Sequence, residues 1–286
     1  MEKNASYSNV LPRVWNNYAD IYTVSEQYDK AYKANEKASA YASTDFQRGM
    51  VIRTEAELDI LLGKVTTGIR KMSMSLGLLV DGGRKFETLI EMSITLFSHG
   101  EYDLALSLAD SMDSYLESAE REITQGLLKG IILLKIGNSE SAIQIAADMQ
   151  KIILNKDRTI WNKFFLNMLN AEIHAAGGDY KKALSEYGHI PEDEGLLLKS
   201  ELLRKLGRYG EALDIVDQMQ KPGRFEFFFE FPLSFYQRGL IYEEMGNDEL
   251  AVKSYEKLLN LWKDGGKKLP IRIDAKKRLS DLKKNM

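Results

Sequence analysis

Five turns in this chain share one pattern: a glycine, a tyrosine or stand-in two residues later, and an alanine five residues later. They are Gly100-Glu-Tyr-Asp-Leu-Ala105, Gly137-Asn-Ser-Glu-Ser-Ala142, Gly178-Asp-Tyr-Lys-Lys-Ala183, Gly207-Arg-Tyr-Gly-Glu-Ala212 and Gly246-Asn-Asp-Glu-Leu-Ala251. Two weaker copies precede them. Gly63-Lys-Val-Thr-Thr-Gly68 keeps the glycine and has a small residue at the alanine place; Glu26-Gln-Tyr-Asp-Lys-Ala31 keeps Tyr and Ala but lacks the glycine. From Glu26 to Gly63, on to Gly100 and on to Gly137, every step is 37 residues; the later steps are 41, 29 and 39. A fixed period of this size marks a repeat architecture, and loop insertions and deletions account for the later variation. Glycine accepts positive φ without a Cβ clash, so it ends a helix. Asp or Asn beside it favours a tight turn. The alanine falls in the first turns of the next helix, where a small side chain lets two antiparallel helices approach closely. Each unit reads as a helix hairpin.

The flanking segments carry the helical period. Residues 233–245 are apolar at 235, 239–242 and 245, and residues 248–262 at 251, 252, 255, 258, 259 and 262. Asp248 and Glu249 sit in the first turn of that second helix, where negative charge suits the dipole. Ala183, Leu184 and Tyr187 repeat the arrangement, and Pro191 ends it.

On these residues the chain resembles the tetratricopeptide-repeat family, whose unit carries Trp-x2-Leu-Gly-x2-Tyr in its first helix and then Ala, an aromatic, a small residue and Pro. Trp15-x2-Tyr18-Ala19-x2-Tyr22 fits the first-helix pattern, with Ala31 and Ala38 at the later small positions. Phe235-x2-Arg238-Gly239-x2-Tyr242 fits again, followed by Ala251, Tyr255 and Leu258. Residues 45–80 fit least, because Glu55 and Asp59 stand where the family is apolar. The resemblance covers residues 12–262. It implies an all-α fold: a right-handed superhelical solenoid of about seven hairpins, at 12–45, 46–82, 86–118, 123–155, 164–191, 193–221 and 232–264. A last helix over 270–284 is apolar at Ala275, Leu279 and Leu282 and Lys-rich elsewhere, as suits a solubilising cap within the same domain.

Composition excludes several function classes. The chain of 286 residues has 39 Lys and Arg against 42 Asp and Glu, a net charge of −3, with no global basic excess for nucleic acid. There is no cysteine, so no disulfide, thiol nucleophile or thiolate metal site exists. His99, His174 and His189 lack metal-ligand spacing. His99 directly precedes a turn glycine, where a helix C-terminus favours a cation. Gly82-Gly83 and Gly265-Gly266 follow no strand and precede no Lys-Ser/Thr, so they read as interhelix loops rather than phosphate loops. No nucleophile elbow or zinc-protease motif is present. The expectation is a protein that is not an enzyme, with no cofactor and no metal. Residues 1–20 hold no signal-peptide core, and no stretch approaches the ~20 apolar residues of a membrane span, so a cytoplasmic location without a membrane partner is expected.

Three features remain. The tail, residues 263–286, has nine Lys/Arg and three Asp, a net +6 that leaves −9 for the rest. It reads as a solvated cap or as a contact for an acidic surface, though it has no aromatic residue to stack on bases. The stretch Phe225-Glu-Phe-Phe-Phe-Glu-Phe-Pro232 links hairpins six and seven, and reads as an aromatic plug between them or a ligand anchor. The third feature follows from the resemblance. Carrying over the family's concave-groove positions gives Ile90, Ile94 and Phe97, then Leu127, Ile131 and Leu134, then Phe165 and Met168. Core positions on the same helices, Leu89, Met92, Leu96, Leu128, Ile132 and Leu133, are also apolar. A helix apolar all round is normally buried all round, so either the superhelix buries the groove stripe itself or a partner does. Further along, the groove positions become charged: Glu201, Arg204, Lys205, Glu243 and Glu244. Family members that clamp chaperone C-termini use Lys and Asn on the first helix. Here the first hairpin offers Arg13, Asn16 and Asp20, and the aspartate opposes a carboxylate. The implied function is a protein-interaction scaffold that grips a peptide or amphipathic helix in the groove. The alternative is a sensor module of a kinase, cyclase or transcription factor, binding a small ligand or signalling peptide. The end Leu261-Trp-Lys-Asp with its Lys-rich helix resembles the terminus of repeat arrays fused to bacterial signalling proteins.

Overall fold

A computed structural model describes residues 10–155, 159–192, 194–221 and 227–286, with only the backbone of Phe227 and Asn285. Helix takes 81% of these residues, and there is no strand among them. The helices are α1 Leu11–Val24, α2 Tyr28–Tyr41, α3 Asp45–Leu61, α4 Val65–Leu78, α5 Gly82–Ser98, α6 Tyr102–Ser111, α7 Ala119–Lys135 and α8 Ser139–Asn155. Then come α9 Ile160–Ala176, α10 Tyr180–Tyr187, α11 Leu196–Lys205, α12 Tyr209–Met219, α13 Phe227–Glu244, α14 Asp248–Leu261 and α15 Pro270–Asn285. Consecutive helices pair from α1·α2 to α13·α14, and α15 packs on α14. The fold is an all-α solenoid of helix hairpins.

The same turn joins the two helices of each pair. Gly63, Gly100, Gly137, Gly178, Gly207 and Gly246 all have φ between 71° and 85°. The residue after each glycine donates its N–H to the carbonyl five residues back: Lys64 to Asp59, Glu101 to Leu96, Asn138 to Leu133, Asp179 to His174, Arg208 to Leu203, Asn247 to Tyr242. This is the Schellman closure of a helix end. The first pair uses it too, with Gln27 donating to Tyr22 and Glu26 held at φ 56°, the lone described non-glycine at positive φ. Ala31, Ala105, Ala142, Ala183, Ala212 and Ala251 are fully buried where the next helix crosses. At Gly68, which takes the same place in the second pair, a Cβ would stand 2.5 Å from Ile60 Cγ1.

The first helices of the pairs form an inner layer, in which α1 packs on α3, α5 on α7, α7 on α9 and α11 on α13. The layer then closes on itself, because α13 packs against α3. One large core therefore joins Ile60, Leu61 and Met72 of the second pair to Phe228, Tyr255 and Trp262 of the seventh.

Several expectations need correction. The Asp59 position is filled by a paired charge: Asp59, almost fully buried, lies 2.5 Å from Lys71 Nζ and accepts 2.6 Å from Tyr32 Oη. The helix over residues 45–61 tolerates it because partners from α2 and α4 satisfy the carboxylate. The aromatic stretch is helix rather than linker from Phe227 on, with Pro232 inside it. Phe228, Phe229, Phe231 and Phe235 are buried, so most of the stretch plugs the core; Phe225 and Glu226 lie outside the described residues. His99 is not a cation. Its ring is fully buried 5.5 Å from Trp262, its Nδ1 lies 2.7 Å from the Thr95 carbonyl, and burial lowers its pKa to about 4. The tail is more than a surface cap. Ala275 and Leu282 of α15 are buried, Arg272 donates to the carbonyls of Gly265 and Lys263, and Arg278 pairs with Glu243 at 2.9 Å.

Candidate functional site

Closing the inner layer encloses space. A cavity of about 360 Å³ lies among α5, α7, α9, α11 and α13. Its walls include Ile90, Ile94 and Phe97 from α5, Leu127 and Ile131 from α7, and Phe165 and Met168 from α9. Seven of the eight residues carried over from the family's groove thus converge on one space. Leu134 is the exception and packs instead into the core that holds Ile131 and Leu169. Ile131 and Met168 are buried, while Ile90, Ile94, Phe97, Leu127 and Phe165 keep part of their surface. The stripe therefore serves as core on one side and cavity wall on the other.

Other wall residues escaped the sequence reading. Leu128, expected as core, borders the cavity, as do Thr124, Leu197, Leu198 and Phe229. Leu197 and Leu198 lie on the first helix of a hairpin whose groove positions read as charged. Phe229 lies in the segment read as a linker. The packing of α13 on α11 and on α3 places it here.

A second space of about 470 Å³ adjoins the first, sharing Phe97, Ser98, Leu197 and Leu198 with it. Its walls hold the charged groove positions Glu201, Arg204, Lys205, Glu243 and Glu244, joined by Lys135 and Arg278. Most of these charges are matched. Lys135 is 3.5 Å from Glu201, Arg204 pairs with Glu244, and Glu243 accepts from both Arg278 and Tyr255 Oη. The Tyr255 hydroxyl, desolvated and bonded to Glu243, is pushed far up and stays protonated. Behind α9, burial raises the Glu172 carboxyl to about 7, where it accepts from Tyr187 Oη at 3.0 Å. A wall of matched charges and aliphatic side chains can bind and orient a ligand. Among the described residues no group of three or more His, Asp or Glu could hold a metal ion, and no helix is long and apolar enough to cross a membrane.

A family model for the tetratricopeptide repeat matches residues 233–261, which cover most of the α13·α14 hairpin. No curated protein sequence matches the chain. Among solved structures, a Rap protein complexed with Competence and Sporulation Factor is 13% identical, with a TM-score of 0.51 over 87% of this chain and 74% of that one. A tetratricopeptide repeat protein from Parabacteroides merdae is also 13% identical, with a TM-score of 0.48 over 95% and 98%. A signal-transduction ATPase with a tetratricopeptide repeat sensor from Pyrococcus horikoshii is 17% identical, with a TM-score of 0.45 over 96% of this chain and 42% of that one.

Proposed function

We propose that this chain, whose α13·α14 hairpin matches the tetratricopeptide-repeat model and whose fold is a solenoid of helix hairpins, is a non-enzymatic interaction scaffold that takes a peptide segment of a protein partner into the cavity inside the solenoid. The observation that carries this reading is the convergence of Ile90, Ile94, Phe97, Leu127, Ile131, Phe165 and Met168, from three successive hairpins, on one apolar-walled space. Buried apolar anchors surrounded by excluded water supply most of the affinity at such sites. The adjoining charged space offers hydrogen-bonding groups for the backbone or polar side chains of the same segment. The repeat units are the seven helix pairs, and the chain acts in the cytoplasm.

Ile131→Asp would leave a charge in the core, so the site is better probed where surface remains. Ile90→Ser with Leu127→Ser keeps the fold and removes two anchors. Affinity capture with mass spectrometry should then lose its specific proteins, with the circular dichroism spectrum unchanged. An identical set of captured proteins would sink the reading.

The second reading is a sensor for a small ligand or signalling peptide. Cavity size favours it: both spaces fall within the ~300–1,000 Å³ of small-ligand pockets, whereas a helix with side chains is about 10–12 Å across. The Rap protein of similar fold is solved in complex with Competence and Sporulation Factor. Native mass spectrometry of the purified chain separates the readings, since a retained small molecule favours the sensor.

A further inference from the structure

Beside the apolar cavity, α1, α3 and α5 bring together four carboxylates and one guanidinium. Asp20 comes from α1, Arg53 and Glu57 from α3, Glu87 and Glu91 from α5. Arg53 Nε lies 3.1 Å from Glu57, and Arg53 Nη2 holds one oxygen of Glu91. The other Glu91 oxygen is buried and has no hydrogen-bond partner, on a residue only 1% exposed. Burial raises the carboxyls of both glutamates; Asp20 adds to the effect at Glu57, and Glu57 and Glu87 add to it at Glu91, against Arg53. One guanidinium thus faces a crowd of carboxyl groups, and Glu57 and Glu91, raised to about 7 and about 8, hold protons near neutral pH that a nearby cation would displace. Glu87 lies 3.6 Å from Arg84 and is also a wall of the apolar cavity, so the cluster reaches the cavity through Glu87.

We infer that the segment taken into the cavity is basic as well as apolar: its apolar side chains fill the space between α5, α7 and α9, and its Lys or Arg side chains lie along Asp20, Glu57 and Glu87. The inference rests on the peptide-binding reading above and adds the charge of the ligand. A cationic group at the cluster favours the ionised carboxylates that burial and crowding disfavour, whereas an acidic segment meets like charge that costs affinity.

The probe is a displayed library of random dodecapeptides, selected on the full chain near neutral pH. Enriched sequences should combine apolar residues with Lys or Arg. The best of them should bind about tenfold more weakly to Asp20→Asn with Glu57→Gln, more weakly also to the exposed single variant Glu87→Gln, and not at all to Ile90→Ser with Leu127→Ser. Enriched sequences that are uncharged or acidic, lost with Ile90→Ser and Leu127→Ser but unmoved by the carboxylate variants, would overturn the inference and leave the cavity reading standing. No enrichment above the Ile90→Ser, Leu127→Ser control would overturn both.

Discussion

The indole of Trp262, at the end of α14, donates its Nε1 hydrogen to the carbonyl of Leu61, at the end of α3, at 3.1 Å and 201 residues away in sequence. This contact joins the second hairpin to the seventh. Trp262 is fully buried, stacks near His99, and packs so closely that a Cβ on Gly63 would stand 2.6 Å from its ring. Gly266 adds a backbone hydrogen bond to the Gly63 carbonyl at 2.8 Å.

Trp262→Ala should therefore cost about 3–5 kcal/mol, the range for removing a large buried aromatic. It should also let the solenoid open, with a larger radius of gyration by small-angle X-ray scattering. Unchanged stability in urea and unchanged scattering would mean that the seam carries little.

Glu26 occupies a left-handed turn position that glycine holds in the other six turns. Glu26→Gly relieves that strain and gives up a half-exposed pair with Lys257 at 3.0 Å, which is worth little. The variant should gain about 0.5–1 kcal/mol, read as a higher urea midpoint at constant slope. A lower midpoint would show that the Lys257 contact outweighs the backbone strain.

Ala251 is fully buried between α13 and α14. Ala251→Leu should overpack that hairpin and cost on the order of 1–3 kcal/mol. Differential scanning calorimetry checks this, and an unchanged melting temperature would contradict the close approach.

Stability should depend on pH in a stated direction. Burial raises the Glu172 carboxyl from 4.5 to about 7, and Glu57 and Glu91 move the same way. For a raised carboxyl the stabilising contribution is full below the unfolded value and is lost as pH rises through the folded one. His99 works in the opposite sense: held neutral down to about 4, it contributes fully above its ordinary 6.5 and loses that contribution as pH falls. Above about pH 6.5 the carboxyls act without opposition from His99, so the protein should be less stable at about pH 8 than at about pH 6.5. Glu172→Gln should shrink the difference. Equal urea midpoints at the two pH values would refute it.

The turns were legible because each is a local event. A glycine at positive φ and an alanine in the next helix decide their geometry within a few residues, so even the copy at Glu26, which lacks the glycine, was readable from Tyr28 and Ala31. The apolar stripe of α5 and α7 was legible for the same reason, since i, i+4, i+7 spacing fixes a face. Its terminus was not: Leu134 follows the spacing but packs into the core, because the last turn of α7 meets α9 rather than the cavity. Asp59 misled in the other direction, because the partners that make a buried carboxylate tolerable, Tyr32 and Lys71, come from neighbouring helices.

By itself the sequence determined the hairpins, their order and the small residues that let each pair close, since these depend on φ preferences and on side-chain periodicity over one or two helices. The tertiary structure decided that α13 returns to α3, that Trp262 seals against Gly63, that Leu198 and Phe229 become cavity walls and that Glu57 and Glu91 share one arginine. Each of these depends on the small rotation from one hairpin to the next, summed over the array. Loops of unequal length and the volumes of many packed side chains set that sum, and no local window of the chain contains it.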